Sequence, residues 1–255
     1  MRVFKFRSID DKNYPNLLRL VTEGEYYFAP PAILNDPFEY TAQLRFDNVP
    51  FPQRLAFWNN CPPFQDRAKG LDQTALLKLV EEFEQLELSM SEAVYQNQSQ
   101  GIFCTCESWD NRVLWSHYAD NHRGIAVEIE TDGVEILNRP QRVIYRDTLP
   151  ELNFYIPTPF EKVMEVCSTK HSDWAYEREI RFFCSSGPHK LPVSSIVGIH
   201  IGMDCIKNYK LRIEELLSLA RKANPQIKAW VLGCKRATGK LFEIPEERLR
   251  YSRQR

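Results

Sequence analysis

The stretch from Gly101 to Glu130 constrains the fold of this chain more than any other. It opens with the alternating run Gly101-Ile-Phe-Cys-Thr-Cys and closes with Gly124-Ile-Ala-Val-Glu-Ile-Glu, and both runs are typical of β-strands. Between them, residues 111–118 predict a short helix with Asp110 or Asn111 as its N-cap. Two tryptophans and two histidines lie in this connection. Two strands do not need so many aromatic and titratable side chains, so we expect part of a functional site here.

The rest of the chain alternates predicted strands and helices without a regular βαβ rhythm. This pattern favours an α+β fold, with a mostly antiparallel, twisted sheet and flanking helices. We expect a single domain over residues 1–255, with a loop-plus-helix insertion at residues 50–99. Prolines at positions 50, 52, 62 and 63 predict the loop, and apolar residues at helical spacing from Leu71 to about Gln98 predict the helix.

Composition excludes several classes of protein. The formal net charge is −1, so no overall field attracts nucleic acid or an anionic membrane. No run approaches the roughly 20 apolar residues of a membrane span, and the N-terminus lacks the apolar core of a signal peptide. We therefore expect a cytoplasmic protein with no membrane partner. The chain has no Walker, G-x-G-x-x-G or G-x-S-x-G motif, which disfavours P-loop, Rossmann and common serine-hydrolase enzymes.

Four stretches of the chain resemble one known family. In chain order they are Lys5-Phe-Arg7, Asn35-Asp-Pro-Phe-Glu39, Trp115-Ser-His-Tyr-Ala-Asp-Asn-His-Arg-Gly124, and Lys170 to Arg181. Their types and order are similar to a bacterial family of unassigned function, domain of unknown function 2971. That family has no established activity, so the resemblance implies relatedness and not a reaction.

The end of this pattern suggests a chemistry. If a strand runs from Glu177 to Cys184, then Glu177, Glu179 and Arg181 share one of its faces, and such a face is expected to meet water, a partner or a pocket. A Glu-x-Glu strand that follows an early arginine-bearing strand is similar to the ADP-ribosyltransferase pattern. The Ser-Thr-Ser triplet of that pattern is absent, and the nearest polar run is Cys104-Thr-Cys106.

The ADP-ribosyltransferase resemblance implies NAD as a co-substrate, with no permanently bound cofactor. Arg7 would hold the pyrophosphate, a glutamate would support the oxocarbenium-like state, and an aromatic ring would stack on nicotinamide. The catalytic candidates are Glu179, Glu177 and His117. The candidate substrate-binding residues are Arg7, Asn35, Asp36, Glu39, Trp115, Tyr118, Trp174 and Arg181. The acceptor would be a protein or a nucleic acid, and a role as a toxin or phage-defence effector follows only from the general habits of such enzymes in bacteria.

Two other functions fit the same residues. The first is a nuclease or phosphodiesterase, either with a divalent metal held by carboxylates and imidazoles or with His117 as a general base. The pair Cys104 and Cys106 also permits a zinc site with His117 and His122, although buried core cysteines fit the spacing better and we predict no metal. The second is a non-enzymatic domain that binds or senses a nucleotide. The basic segment 235–240 either contacts an anionic partner or is solvated.

Overall fold

The chain divides into two compact units. The computed structural model describes residues 1–36, 39–90 and 100–246. Unit 1 comprises Met1–Ile33, Gln98–Val143 and Asp173–Arg255, and unit 2 comprises Leu34–Asn97 and Ile144–Ser172. Unit 2 is therefore built from two segments that interrupt unit 1 in the sequence.

Strands and short or long α-helices make up most of both units. The described strands are β1 (Arg2–Arg7), β2 (Glu25–Phe28), β3 (Gln43–Arg45), β4 (Gln100–Cys106), β5 (Ile125–Glu130), β6 (Gln141–Arg142), β7 (Ile144–Arg146), β8 (Glu151–Asn153), β9 (Thr169–His171), β10 (Glu179–Ser185), β11 (Gly187–Lys190), β12 (Ile196–Ile201), β13 (Lys228–Lys235) and β14 (Lys240–Pro245). The described α-helices are α1 (Tyr14–Glu23), α2 (Phe51–Trp58), α3 (Pro62–Ala68), α4 (Gln73–Met90), α5 (Arg112–Tyr118), α6 (Phe160–Cys167) and α7 (Cys205–Ala223).

An eight-stranded sheet organises unit 1. Its strand order is β14-β13-β12-β5-β1-β4-β10-β6. Neighbouring strands in this sheet are antiparallel except β12 and β13, which are parallel and are connected by α7. The predicted α+β fold with a mostly antiparallel sheet is thus confirmed.

The two faces of this sheet carry separate hydrophobic cores. The larger core contains Val3 and Ile129 of the sheet and packs against apolar residues of α1 and α7. The second core contains Phe4 and Phe6 and packs against Trp115 of α5. Because side chains alternate along a strand, the run Val3-Phe4-Lys5-Phe6 serves both faces. The connection that the sequence marks as functional therefore covers the face opposite α1 and α7.

Helix ends in unit 1 follow local sequence signals. Pro15 lies in the first turn of α1, where its missing N–H and fixed φ are tolerated. Gly24 ends the helix with a φ of 67° and donates its backbone N–H to the carbonyls of Arg19 and Leu20. The predicted short helix after β4 is also present as α5, and its N-cap is Asn111, whose side chain accepts hydrogen bonds from the backbone of Val113 and Leu114.

The expectation of a loop at residues 50–70 is wrong. This segment of unit 2 contains α2 and α3, and a proline lies in the first turn of each helix. Proline is favoured there, so the same residues that suggested a loop instead begin two helices. The following helix, α4, is described from Gln73 to Met90. The remaining part of the predicted helix, residues 91–98, lies outside the described residues.

Unit 2 has its own core and its own surface recess. Trp58, Phe64, Leu79 and Val80 are buried together, and the Trp58 indole donates a 2.7 Å hydrogen bond to Tyr155. The recess has a volume of about 590 Å³. Its walls include Phe46, Asp47, Arg54, Lys78, Glu81, Glu82, Glu84 and Gln85. In the described part of the chain, no helix has the length and apolar character needed to cross a bilayer.

Candidate functional site

The first strand brings two cations to the middle of the unit 1 sheet. β1 pairs with β5 along its whole length but shares only the register pair Phe4↔Cys106 with β4. Beyond that pair, the Lys5 ammonium donates a 2.6 Å hydrogen bond to the Cys104 carbonyl and lies 5.4 Å from the centre of the Phe103 ring. Arg7 is two residues further along β1, so the two cations share one side of the strand. We call Lys5 and Arg7 the β1 cations.

The β1 cations are reached by water but are poorly solvated. Lys5 is half-buried and Arg7 is exposed. Desolvation by the surrounding protein and the nearby charge of Arg7 lower the pKa of Lys5 to about 8. Desolvation likewise lowers the pKa of Arg7, and its main electrostatic neighbour is Cys104. Lys5 and Arg7 thus keep accessible surface although neighbouring protein atoms desolvate them, and an anion would be held more strongly there than at a fully solvated cation.

No carboxylate among the described residues forms an ion pair with either β1 cation. Most other arginines in unit 1 behave differently. Arg2 pairs with Glu128 and Glu130, and Arg212 pairs with Asp11. Because leaving a desolvated cation without a counter-charge is unfavourable, Lys5 and Arg7 are suited to an anionic ligand.

Strand β10 differs from β1, because its arginine is paired with a carboxylate. Glu179 and Arg181 of β10 are register partners of Cys106 and Cys104, so the four side chains share one face of the sheet. The Arg181 guanidinium donates to both carboxylate oxygens of Glu179, at 3.0 and 2.9 Å. The two side chains are 0% and 6% exposed. The prediction that this strand face meets water or a pocket is therefore wrong for Glu179 and Arg181, because their charges neutralise each other inside the protein.

Glu177 does not lie on the same strand face as Glu179, which corrects a second expectation. A 3-10 turn covers Ser172–Glu177, and β10 begins only at Glu179. Arg178 between them has a φ of 44°, a left-handed conformation that breaks the strand alternation. Glu177 is buried and accepts a 2.5 Å hydrogen bond from the Tyr118 hydroxyl at the end of α5. The turn thus brings Glu177 to the end of α5.

The same turn positions an aromatic and imidazole group. The exposed His117 has its Nδ1 atom 3.0 Å from the Tyr176 hydroxyl. Trp174 lies next to Tyr176, with 6.1 Å between ring centres. The Asn111 side chain, which caps α5, also donates to the Tyr176 carbonyl, so one residue fixes both the helix and the turn. His117, Tyr118, Trp174 and Glu177 are therefore held in one neighbourhood of unit 1.

Electrostatic coupling connects this neighbourhood with the β1 cations. The charge of Glu179 opposes the lowering of the Lys5 pKa, and Cys106 is coupled to Lys5, Glu179 and Glu177. Burial raises the pKa of both Cys104 and Cys106, so both remain thiols at neutral pH. By strand alternation Lys5 and Arg7 lie on the Val3 face of the sheet, whereas Cys106 and α5 lie on the Phe4 face, and the charge of Glu179 is felt by Lys5. This is the arrangement that we treat as the candidate site.

Trp115 has a packing role in this structure. It is fully buried, its ring lies 5.0 Å from that of Phe6, and its indole donates to the Trp109 carbonyl at 2.5 Å. Trp115 was predicted to contact a ligand, but it is buried and instead supports the local packing. It attaches α5 to the sheet and so places His117 and Tyr118.

A buried histidine, His200, packs against the ring of Trp109. His200 is stacked between Trp109 and Trp230, at 5.6 and 4.7 Å between ring centres, and its edge contacts Phe4. Its Nε2 atom lies 3.2 Å from Glu128, and its Nδ1 atom lies 2.6 Å from Glu243. Burial disfavours the charged imidazole, but the hydrogen bond to Glu128 and the nearby charge of Glu243 outweigh it and raise the pKa of His200.

The stability of unit 1 should therefore fall as pH rises through the folded pKa of His200. The contribution is fully present below the unfolded pKa of about 6.5 and is lost above the raised folded value, and each tenfold gain in proton affinity on folding corresponds to about 1.4 kcal/mol. The charged groups facing the ring are Glu128 of β5 and Glu243 of β14, with Arg2 of β1 paired to Glu128. Denaturant unfolding of the protein and of His200→Gln at about pH 6 and pH 8 measures this effect. An unchanged pH dependence in the variant would contradict the assignment.

The remaining predicted residues lie in unit 2. Asn35 is exposed, whereas Asp36 and Glu39 are buried, and Pro37 and Phe38 are outside the described residues. The Glu39 carboxylate forms a 3.0 Å ion pair with Lys170, and both side chains are almost completely buried. Two stretches of the family pattern that are far apart in sequence are thus joined inside this unit.

Three residues that were not among the predicted site residues are prominent in the structure. Lys5 lies beside Arg7, Tyr176 contacts His117, and Lys170 pairs with Glu39. Lys5 had a signal, since it alternates with Phe4 and Phe6 on the same strand as Arg7. The contacts of Tyr176 and Lys170 join segments that are far apart in the sequence, so no periodic pattern of residues predicts them.

A metal centre has no evident donor set in the described residues. No group of three or more His, Cys, Asp or Glu side chains within residues 1–36, 39–90 and 100–246 is placed to hold a metal ion. The seven cysteines are all free.

Comparison with known proteins gives a family match over part of the chain but no activity. Residues 114–182 match the family described as "Protein of unknown function (DUF2971)". This segment contains most of α5, the 3-10 turn and the first part of β10, and it confirms the resemblance found in the sequence. No curated protein and no solved structure gave a significant match.

Proposed function

We propose that unit 1 binds NAD through its phosphates and cleaves the bond between nicotinamide and ribose. The observation that carries this proposal is the pair of β1 cations, which are desolvated, accessible to water and without an acidic partner among the described residues. A guanidinium presents two parallel N–H donors to a phosphate, and an ammonium adds a point charge. Arg7 would bind one phosphate of the pyrophosphate and Lys5 the other.

The aromatic groups near α5 support a dinucleotide rather than inorganic phosphate. Tyr118, Tyr176 and Trp174 are each partly accessible. Tyr118 donates to the buried carboxylate of Glu177, and Trp174 lies next to Tyr176. A ring would stack on nicotinamide, and Glu177 would accept a hydrogen bond from a ribose hydroxyl. Since Glu179 is neutralised by Arg181, the ribose role falls to Glu177 in this proposal.

The reaction needs no redox partner. Nicotinamide leaves with the electron pair of its bond to the ribose C1′ atom, which gives the ribose an oxocarbenium character. A water molecule, or the nucleophile of an acceptor, adds to C1′ and releases one proton. The carboxylate of Glu177 stabilises the positive charge that develops on the ribose, which is an interaction made mainly in the transition state.

Nucleotide binding without turnover is the second candidate function. Glu177 and Glu179 are both buried and both already accept hydrogen bonds, from Tyr118 and Arg181 respectively. Carboxylates so engaged fit a domain that recognises a nucleotide with the β1 cations and does not react with it.

Arg7→Gln should weaken NAD binding by roughly 10- to 100-fold, the range expected for losing a charged hydrogen-bonding partner. Arg139→Gln is the matched control, because Arg139 is exposed and forms no ion pair among the described residues of unit 1. Calorimetric titration with NAD gives the affinities, and chromatography of released nicotinamide gives turnover. Equal affinities for Arg7→Gln and the unmodified protein would overturn the phosphate assignment.

Glu177→Gln in the same experiment separates the two candidates. The amide oxygen of glutamine still accepts the Tyr118 hydrogen bond, so the fold and NAD affinity should persist. If the protein is an enzyme, kcat should fall while KM changes little. If nicotinamide release is absent from the unmodified protein although NAD binds, the binding function stands alone. Cleavage of nucleic acid that EDTA abolishes would instead indicate a metal-dependent nuclease.

A further inference from the structure

The hairpin that joins β13 to β14 concentrates positive charge. Lys235 and Lys240 are register partners at the end of the two strands, and Arg236 lies in the turn. All three are exposed. Like charges directly opposite each other on paired strands are destabilising, so this pairing favours a bound anion.

Arg112 adds a fourth cation from another element. It is the first residue of α5, and its guanidinium lies against the Cα atom of Gly239 in the turn. A Cβ atom at Gly239 would overlap this guanidinium, and the φ of 64° at Gly239 also favours glycine. The turn thus fixes Arg112 beside the hairpin. Within the part of the chain that the structure describes, none of these four cations forms an ion pair.

An exposed aromatic ring lies on the same face of the hairpin as Lys235 and Lys240. Phe242 is 37% exposed and is the register partner of Gly233, and its ring covers that glycine. The pairs Gly233↔Phe242 and Lys235↔Lys240 are two residues apart on both strands, so Phe242, Lys235 and Lys240 share one face. β14 is the edge strand of the sheet, which leaves this face open at the side. We call Arg112, Lys235, Arg236, Lys240 and Phe242 the hairpin surface.

We infer that the hairpin surface binds single-stranded nucleic acid. The four cations contact consecutive phosphates, and one unpaired base stacks on Phe242. A duplex would present its phosphates but would hide the faces of its bases, so it would not use the ring. An acidic protein would match the charge but would offer no flat partner for an isolated exposed aromatic ring. Cations beside a stacking ring are the combination by which proteins hold single strands without reading their sequence.

Fluorescence anisotropy of the full chain with a labelled single strand of about 16 nucleotides, as RNA and as DNA, tests this inference. Lys235→Glu/Lys240→Glu should weaken binding roughly tenfold or more and should reduce the slope of log affinity against log salt by about 1.4, which corresponds to two phosphate contacts. Phe242→Ala should weaken binding roughly fivefold or more and leave the salt slope unchanged. Lys207→Glu/Lys228→Glu is the matched control, since both lysines are exposed in unit 1 and lie away from the turn.

Three outcomes would overturn the inference. Equal weakening by both double variants would indicate a general effect of charge. A duplex bound as tightly as the single strand, with Phe242→Ala without effect, would remove the stacking contact. Polyglutamate that displaces the strand at equal charge concentration would indicate a surface for acidic proteins instead.

Discussion

Glu179→Gln is expected to lower the free energy of unfolding by about 3–5 kcal/mol. The change removes the negative charge that faces Arg181, which is 0% exposed and donates to both oxygens of Glu179. Breaking a buried ion pair by removing one of its charges costs more than the pair itself contributes. Urea unfolding followed by circular dichroism measures the loss.

The double variant Glu179→Gln/Arg181→Met provides the control. It removes both charges at similar side-chain volume, so its loss of stability should be clearly smaller than the sum of the two single losses. A Glu179→Gln protein that keeps its full stability and its NAD affinity but releases no nicotinamide would contradict this structural role. That result would return Glu179 to the position of catalytic carboxylate.

The contrast between β1 and β10 explains which charges are available for a ligand. Both strands carry an arginine in the middle region of the sheet, and both arginines are desolvated or buried. Arg181 has a carboxylate two residues away on the same face, whereas Arg7 has Lys5 at that spacing. The residue two positions away therefore neutralises Arg181, whereas at Arg7 it adds a second positive charge. This difference places the candidate anion site at β1.

Local signals were sufficient to predict several elements that position the site. The pair Asp110-Asn111 before α5 predicted where its cap lies, because capping depends on residues within one turn of the helix end. The alternating runs on either side of α5 predicted β4 and β5. The mostly antiparallel sheet followed from the lack of regular βαβ spacing.

Other features depend on contacts that a single sequence does not encode locally. The strand from Glu177 was predicted two residues too early. Arg178 adopts a left-handed backbone conformation, and it is neither glycine nor asparagine, the residue types that usually signal one. The burial of Glu179 depends on its pairing with Arg181 and on the neighbouring strand β4. Sequence alternation gives the face of a charged residue, but it does not say whether that face is covered.

Lys170→Met is expected to lower the stability of unit 2 by about 3–5 kcal/mol. Lys170 and Glu39 are 2% and 3% exposed and lie 3.0 Å apart, so methionine would leave the Glu39 carboxylate buried without its ammonium partner. The loss should be local to unit 2, and hydrogen–deuterium exchange can measure it separately in peptides from β9, α6 and unit 1. Exchange should accelerate in β9 and α6 and remain unchanged in β5 and β12.

Two further variants show whether this loss comes from the buried pair itself. Lys162→Met is the matched control, because Lys162 is an exposed lysine of the same unit whose ion pair with Glu165 lies at the surface, where such pairs contribute at most about 1 kcal/mol. In the double variant Lys170→Met/Glu39→Gln both charges of the pair are absent, so most of the protection should return. If Lys170→Met exchanges no faster than Lys162→Met, the buried pair does not stabilise the unit.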